Sequence, residues 1–342
     1  MVFFLALHSL LLGDVTKAVS SLDMLIRFSA IIIFYLYFKT LIKNQAEDLL
    51  FTIAKISFYF LIFNTFLGVI GLGYPMYGIG ESGIGTKGLI FAGNEIGAAL
   101  IVSGAIVSMK YLEDNNIKYF FVSGILLLIS SIFLASKVSL LGSIILFFFF
   151  PLLKAFKNMS NFKLPKSDFI NANIILVTVP ILAIVGIYYT LYEINLIDRL
   201  SYFYEKLDLI TLIFSSRNIW AEEAYNAFIN HYSFIEYLFG SGRGYFEFIS
   251  DDRLVEIDPI DFLMNYGIIG LLITFGIIFF ILFETIIKRK LNKYSIYVIF
   301  TIFLLLGISS TAGHVFNSGT AGFLIAILLA LGSYRNKQKL VK

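Results

Sequence analysis

Charged residues that could do chemistry are concentrated in the third quarter of the chain. Arg217 lies at the start of a predicted helix, and Arg243 lies in the glycine-rich run GSGRG, residues 240–244, which includes Gly242 and Gly244. Backbone N–H groups of such a turn could approach an anion while Arg243 supplies positive charge. An antiparallel fold back of the segment would bring both guanidinium groups to one phosphate-bearing ligand. Alternatively, both arginines only pair with surrounding carboxylates, since exposed ion pairs are common and contribute little.

Three carboxylates, Glu256, Asp258 and Asp261, follow this turn and precede a long apolar run. At the mouth of a helix bundle, burial could raise the pKa of one of them and let it act as a general base toward a hydroxyl group. Alternatively, they are solvated residues at the start of a helix, where the helix dipole favours negative charge. His314, in a short loop between two apolar runs, could reach the same cavity as a proton carrier, or it could be an ordinary loop histidine.

Basic residues within or beside apolar runs could either belong to a functional site or only extend to the membrane surface. Lys137 lies between two such runs, where a lysine either serves a site or extends its ammonium group to the lipid head groups. Arg27 and Lys55 fall inside predicted spans, so they are expected to reach the membrane surface or to face a polar interior. No role is assigned to these two residues.

The element that must position Arg217 is predicted as one helix from Ser215 to Gly240. Ser215 or Ser216 can cap its start, its apolar residues recur near the helical period, and Gly240 can end it.

The rest of the chain is typical of a membrane protein. Of its 342 residues 58% are hydrophobic and 14% are charged, whereas a soluble domain has about 25% charged residues. Apolar runs of about 20 residues, the length that crosses a bilayer, predict an all-α bundle of about ten membrane spans. An additional run at residues 2–12 is expected to be a short or incomplete first span. The predicted full spans are residues 22–42, 49–72, 94–109, 118–136, 138–153, 170–192, 260–284, 294–312 and 316–333.

Basic clusters set the expected orientation, because short cytoplasmic loops retain Lys and Arg. These clusters fall on alternate loops, which places the C-terminal tail inside and an acidic loop at residues 193–260 outside. The predicted organisation is therefore a transmembrane bundle at residues 1–192, the large extracytoplasmic loop at residues 193–260, and C-terminal helices with a basic cytoplasmic tail at residues 261–342.

Other chemistries find little support in the sequence. There is no phosphate-binding GxxxxGK[ST] run, no HExxH and no GxSxG, and the chain has no cysteine. ATP use, zinc peptidase and esterase activities and thiol catalysis are therefore not favoured.

Several motifs resemble bacterial O-antigen polymerases and O-antigen ligase-like proteins. In the outer loop they are the run from Arg217 to Trp220, GSGRG, Glu256-x-Asp258, and Gly267 with Gly270 in the following span. Earlier in the chain they are Lys87 followed by GLIFAGN at residues 88–94, and the pair Ser136-Lys137. The resemblance extends over about residues 80–330, and its motifs are short and degenerate.

The chain also departs from that family in four respects. Lys87 stands where the family often has Arg, and Gly93 stands where Pro often precedes the Asn. Ligases of the family usually carry a His just before the span that follows the large loop, whereas Glu256 and Asp258 occupy that region here, which favours a polymerase. The first spans are shorter than in typical members, so the N-terminus is expected to be truncated or divergent.

The resemblance implies glycosyl transfer at the outer face of the bacterial cytoplasmic membrane, with no metal and no cofactor. A polyprenyl-diphosphate-linked oligosaccharide would be the donor, and a hydroxyl of another lipid-linked repeat unit would be the acceptor. The product would be O-antigen, capsule or exopolysaccharide. The diphosphate would be bound by Arg217, Arg243, Lys87, Lys137, Gly242 and Gly244. The candidates for the base are Glu256, Asp258, Asp261 and His314.

Two alternatives stay open. One is a ligase that attaches finished glycan to another acceptor, and the other is a flippase for lipid-linked sugars, whose charges would line a path through the membrane. The expected partners are the lipid bilayer, the lipid-linked oligosaccharide, a chain-length regulator and a flippase, with no nucleic acid.

Overall fold

The described part of the chain is helical apart from one β-hairpin. The computed structural model describes residues 2–13, 15–44, 46–79, 82–160, 214–243 and 254–333, and the single residues 184, 188, 208 and 211. Apart from these single residues, the predicted span at residues 170–192 and the first part of the acidic loop lie outside the described residues. So do Gly244 and the basic tail.

Seven helices and the hairpin form the first part of the described chain. They are α1 (Val2–Leu12), α2 (Val15–Ser20), α3 (Leu22–Lys43), α4 (Glu47–Val69), β1 (Tyr74–Ile79), β2 (Ser82–Gly88), α5 (Gly93–Glu113), α6 (Ile117–Phe133) and α7 (Lys137–Ser160). The second part comprises α8 (Arg217–His231), α9 (Phe234–Phe239), α10 (Asp258–Ile287), a 3-10 turn (Arg289–Leu291), α11 (Ser295–Ala312) and α12 (Gly319–Ser333).

Six described segments are long and apolar enough to cross a membrane, which supports a multi-pass membrane protein. They are Ala18–Lys43, Glu47–Val69, Glu95–Glu113, Lys137–Asn158, Asp258–Ile287 and Ser295–Ala312. Two further predicted spans appear as the shorter apolar helices Ile117–Phe133 and Gly319–Ser333. The predicted total of about ten spans therefore stays a prediction.

The hairpin was not predicted, because its glycine-rich strands carry no clear alternation of apolar and polar residues. Strands β1 and β2 are antiparallel, with Tyr74 opposite Gly88 and Tyr77 opposite Ile84. Asn64 of α4 fixes its base, since the side-chain amide donates to the Lys87 carbonyl oxygen at 2.8 Å and accepts from the Leu89 N–H at 2.9 Å.

The prediction of one helix from Ser215 to Gly240 is wrong in its middle and at its start. Tyr232 is extended, and Ser233 starts the separate helix α9 with a capping box that includes Glu236. Ser216 precedes α8 in a left-handed conformation and makes no side-chain capping bond. Gly240 does end α9 as predicted.

Helix α10 starts at Asp258, two residues earlier than predicted, and it is broken at Gly267, whose φ is 66° and ψ is −171°. That backbone region is almost exclusive to glycine. A Cβ at this position would lie 2.3 Å from the carbonyl carbon of Leu238, so the break lets the end of α9 pack directly on α10.

The helices alternate between two ends of the bundle. The site end is defined here by residues 21–23, 70–79, 82–93, 134–137, 214–243, 254–258 and 312–320. The basic end is defined by residues 39–44, 46–48, 110–118, 154–160 and 284–295. Ion pairs close the basic end, with Lys39 2.9 Å from Glu284, Lys110 3.4 Å from Asp48 and Lys157 2.7 Å from Glu113. The basic clusters predicted to share one side of the membrane therefore do share one end in the described chain.

The core lies around α5 and α12. Helix α12 packs against α3 and α5, and nearly all of its residues from Ala321 onward are buried. These central helices bring the starts of α3, α5, α10 and α12 to the site end.

Candidate functional site

The centre of the candidate site is an arginine, a glutamate and a histidine from three separate segments. Arg217, at the start of α8, donates from Nη2 to Oε2 of Glu256 at 2.5 Å. The other carboxylate oxygen, Oε1, lies 3.8 Å from Nε2 of His314. All three side chains are partly exposed, at 14%, 31% and 21% respectively, so a ligand could reach them.

The pairing sets the charges of this centre. Burial raises the pKa of the Glu256 carboxyl, but pairing with His314 and the positive charge of Arg217 outweigh it and hold the pKa below its ordinary value. Burial lowers the pKa of the His314 imidazole, but Glu256 and the nearby carboxylates outweigh it and hold the pKa above its ordinary value. Glu256 is therefore the anionic member of the pair, and protonation of His314 is favoured.

Asp258 fixes the loop that carries His314. Its Oδ1 accepts from the His314 N–H at 2.6 Å, and its Oδ2 accepts from Val315 and Phe316 N–H at 3.0 and 2.9 Å. Three backbone donors occupy a carboxylate that is fully buried. The expectation of a solvated residue at the helix start does not describe Asp258, and its contacts assign it to holding the loop.

Asp261 is also fully buried, and only one of its oxygens is satisfied by the described residues. Oδ1 accepts from the Val255 N–H at 3.0 Å, whereas Oδ2 has no hydrogen-bond partner in the described part of the chain. The same holds there for Nε of Arg217, Oδ1 of Asn265 and Oδ1 of Asn317. These atoms are polar groups that a water or a substrate hydroxyl could satisfy.

Left-handed backbone is concentrated at this centre. The φ angles of Ser215, Ser216, Glu256 and His314 are 54°, 67°, 57° and 54°. Each such residue lowers the free energy of unfolding by about 1 to 3 kcal/mol, which contacts in the surrounding structure must offset. Gly313, whose φ is 58°, allows the enforcing contact, since a Cβ there would lie 2.2 Å from the Glu256 carbonyl oxygen. The close approach of these two backbone segments brings Glu256 and His314 next to each other.

The two predicted lysines lie at the same end of the bundle. Nζ of Lys137, at the start of α7, donates to Oγ of Ser215 at 3.4 Å, two residues before Arg217. Lys87 lies on β2, with its Nζ 4.5 Å from the centre of the Phe91 ring. The hairpin packs on the turn before α7, where a Cβ on Gly85 would meet the Cβ of Ala135 at 2.5 Å. Lys137 thus contacts the segment that precedes Arg217. Lys87 lies on the hairpin, which packs against the turn before Lys137.

Arg243 is held in a second cluster. Its Nη1 donates to Oδ2 of Asp23 at 3.3 Å, and its backbone N–H donates to Oγ of Ser21 at 2.9 Å. Gly242 packs against Ser21 and His8, since a Cβ there would lie 2.6 Å from Ser21 Oγ. The structure thus pairs Arg217 and Arg243 with different carboxylates, and a common phosphate site for both stays a prediction.

Asp23 and Glu95 were not predicted from the sequence as site residues, and no role was assigned to Arg27. Arg27 bridges the other two, with Nη2 3.0 Å from Asp23 Oδ2 and Nη1 3.1 Å from Glu95 Oε1. The available signal was the presence of opposite charges at the starts of apolar helices, including Asp23 and Arg27 at i and i+4.

No group of three or more His, Asp or Glu residues among those described could hold a metal ion. The metal-independent reaction stays a prediction.

Part of the chain matches a known family of membrane proteins. Residues 198–332 match the model of a family described as O-antigen ligase like membrane protein. No curated protein and no solved structure matches the chain. The match confirms the predicted resemblance within residues 198–332, and the earlier motifs around Lys87 and Lys137 lie outside it. The matched range contains Arg217, Arg243, Glu256 and His314. Asp23, Arg27 and Glu95 lie outside the matched residues.

Proposed function

We propose that this protein, whose residues 198–332 match the model of the O-antigen ligase-like family of membrane proteins, is a glycan polymerase of the bacterial cytoplasmic membrane. It transfers an oligosaccharide from a polyprenyl diphosphate to a hydroxyl of another lipid-linked repeat unit, on the outer face. The observation that carries the proposal is the centre formed by Arg217, Glu256 and His314.

In the proposed reaction the acceptor hydroxyl oxygen attacks the anomeric carbon of the donor sugar. The bond between that carbon and the diphosphate oxygen breaks, and its electron pair leaves with the diphosphate. Glu256 accepts the hydroxyl proton, which requires a carboxylate that is charged and within reach of substrate. Arg217, with Lys137 beside it, neutralises the charge that develops on the diphosphate.

The ion pair between Arg217 and Glu256 makes the basicity of Glu256 depend on donor binding. A diphosphate competes for the guanidinium group, because it offers more negative charge than one carboxylate. Once Arg217 contacts the diphosphate, Glu256 loses one of the two partners that keep its pKa low. Its basicity rises when the donor is in place, which couples proton removal to donor binding.

The distribution of charge favours an enzyme over a transporter. In the described spanning helices the charged residues lie near the helix ends, except Lys55, which lies nine residues into α4 with its side chain exposed on the outside of the bundle. A transporter of charged lipid-linked sugars would be expected to place several charges on facing surfaces at mid-membrane.

A polymerase is favoured over a ligase by the residues that precede the span after the large loop. Glu256 and Asp258 stand there in place of the histidine that the resemblance would lead one to expect of a ligase. In this protein the histidine comes from the loop between α11 and α12 and pairs with Glu256.

The test is the glycan profile of a strain that lacks the gene, complemented with the intact protein, with Arg217→Ala or with Arg289→Ala as a matched control at the basic end. We expect single repeat units in the deletion strain and with Arg217→Ala, and a long ladder with the other two. Removing a preorganised donor of this kind typically costs about 10² to 10³ in rate. Long chains left on the lipid carrier would instead identify a ligase, and repeat units trapped inside the cell a transporter.

A further inference from the structure

Arg27 lies at the centre of a network that joins three helix starts. Its guanidinium group binds both carboxylate oxygens of Asp23, with Nε 3.1 Å from Oδ1 and Nη2 3.0 Å from Oδ2. Its remaining donor, Nη1, reaches Glu95 Oε1 on α5 at 3.1 Å. A guanidinium group can hold two carboxylates in fixed directions in this way, whereas an ammonium group cannot.

One arm of the network ends at Arg243. Asp23 accepts from Arg27 and from Arg243 through the same oxygen, Oδ2. Ser21, two residues before Asp23, accepts from the backbone N–H of Arg243. The position of the Arg243 guanidinium therefore depends on where Arg27 holds Asp23.

The other arm ends at the loop that carries His314. Glu95 Oε2 accepts from Oγ of Ser318 at 2.9 Å and from Oγ1 of Thr320 at 3.2 Å. Nη1 of Arg27 also lies 3.5 Å from the carbonyl oxygen of Asn317. Since Asp258 holds residues 314–316 of the same loop, the loop is anchored at both of its ends.

Simple attachment of the helices does not require these charges. Replacing a partly buried ion network by apolar contacts is often neutral or stabilising, because desolvation offsets much of the attraction. What the network adds is a fixed geometry between Arg243 and the loop that carries His314.

We propose that Arg27 is a positioning residue for the glycan transfer, which sets Arg243 and the His314 loop relative to each other. The inference rests on the proposed function. It means that a site whose arginines, Glu256 and His314 lie within residues 198–332 is completed by helices α3 and α5, outside the family match.

The experiment compares the purified protein with its Arg27→Gln and Lys39→Gln variants in lipid nanodiscs, using the lipid-linked repeat unit of the producing strain. Lys39 is the matched control, because it lies on the same helix and forms a 2.9 Å ion pair with Glu284 at the basic end. The readouts are KM and kcat for chain growth and the melting temperature of each variant.

We expect Arg27→Gln to lower kcat/KM by about 10- to 100-fold, as a displacement of about 1 Å can do. We also expect it to raise KM, because Arg243, a predicted ligand of the donor diphosphate, would be misplaced. Lys39→Gln should keep the values of the intact protein. A loss of folded protein alone would lower the apparent kcat in proportion and leave KM unchanged, and that result would overturn the inference.

If Arg27→Gln does not fold, Glu95→Gln tests the same bridge while keeping the pair between Arg27 and Asp23. Wild-type values of KM and kcat in Glu95→Gln would then overturn the inference, and a raised KM would support it. Failure of the intact protein to extend the repeat unit would overturn the proposed function itself.

Discussion

Glu256 has two cationic neighbours, Arg217 and His314, and its basicity depends on how many of them it faces. With both present its pKa is held low, which suits a resting state but makes a weak base. Binding of a diphosphate at Arg217 would relieve one of the two restraints. At this scale the chemistry depends on a competition between a carboxylate and a phosphate for one guanidinium group.

The pairing with His314 predicts a dependence of stability on pH. The pKa of His314 is raised in the folded protein, so its contribution is complete below the unfolded pKa of about 6.5 and is lost as pH rises through the folded value. We expect the difference in melting temperature between the intact protein and His314→Asn to be largest at pH 5 to 6 and to shrink as pH rises further.

The control for that measurement is His231→Asn, which removes an exposed histidine from α8. A difference between the intact protein and His314→Asn that grows with pH would contradict the proposed pairing with Glu256.

The residues of the central cluster were among the candidates that the sequence suggested, but their pairing was not predictable. Arg217 and Glu256 are 39 residues apart in the sequence, and His314 comes from a loop beyond two further helices. Asp23 and Glu95 were not predicted as site residues, because each lies at the start of a strongly apolar helix. A charged residue at that position only marks the end of a span in a hydropathy pattern.

At the scale of elements, the contact between α9 and α10 places the Arg243 turn. The backbone N–H groups of Ser241 and Gly242 donate to the carbonyl oxygens of Met264 and Asn265, both at 3.2 Å. Those carbonyl groups are available because α10 is broken at Gly267. The turn is therefore held by backbone contacts that only a break in a spanning helix can offer.

Gly267→Ala is expected to destabilise the protein. The new Cβ would meet the Leu238 backbone, and the required conformation alone costs about 1 to 3 kcal/mol for other residues, so the melting temperature should fall by several degrees. Gly276→Ala in the same helix is the matched control, since a Cβ there meets nothing within 4 Å. Equal melting temperatures of the two variants would show that α9 does not pack on the break.

The spans were largely predictable from the sequence, because runs of about 20 apolar residues permit few other structures. The breaks were not predictable. Gly267 looks like any glycine of an apolar span, and the split between α8 and α9 depends on the capping box of Ser233, which lies within an otherwise helical pattern.

At the scale of the whole molecule, the bundle separates its charges by end. The ion-paired basic clusters lie at one end, and the candidate site lies at the other. By the preference of cytoplasmic loops for Lys and Arg, the basic end is expected to face the cytoplasm and the site end the outside.

The absence of cysteine from the sequence allows a clean test of this orientation. Single cysteines at Glu223, exposed on α8, and at Lys290, exposed at the basic end, can be labelled with a membrane-impermeant maleimide. We expect Glu223→Cys to react in spheroplasts and Lys290→Cys to react only after permeabilisation. The reverse pattern would place the candidate site in the cytoplasm and exclude a reaction on the outer face.

The role of Glu256 as the base is tested most directly by measuring the extension of a purified lipid-linked repeat unit. The proteins compared are the intact protein, Glu256→Gln and Glu223→Gln. The last is a matched control on the exposed face of α8. We predict that the intact protein and Glu223→Gln make chains, and that Glu256→Gln is slower by about 10² to 10⁴, the usual effect of losing a general base. Chain growth at the normal rate with Glu256→Gln would contradict the assignment of Glu256 as the base.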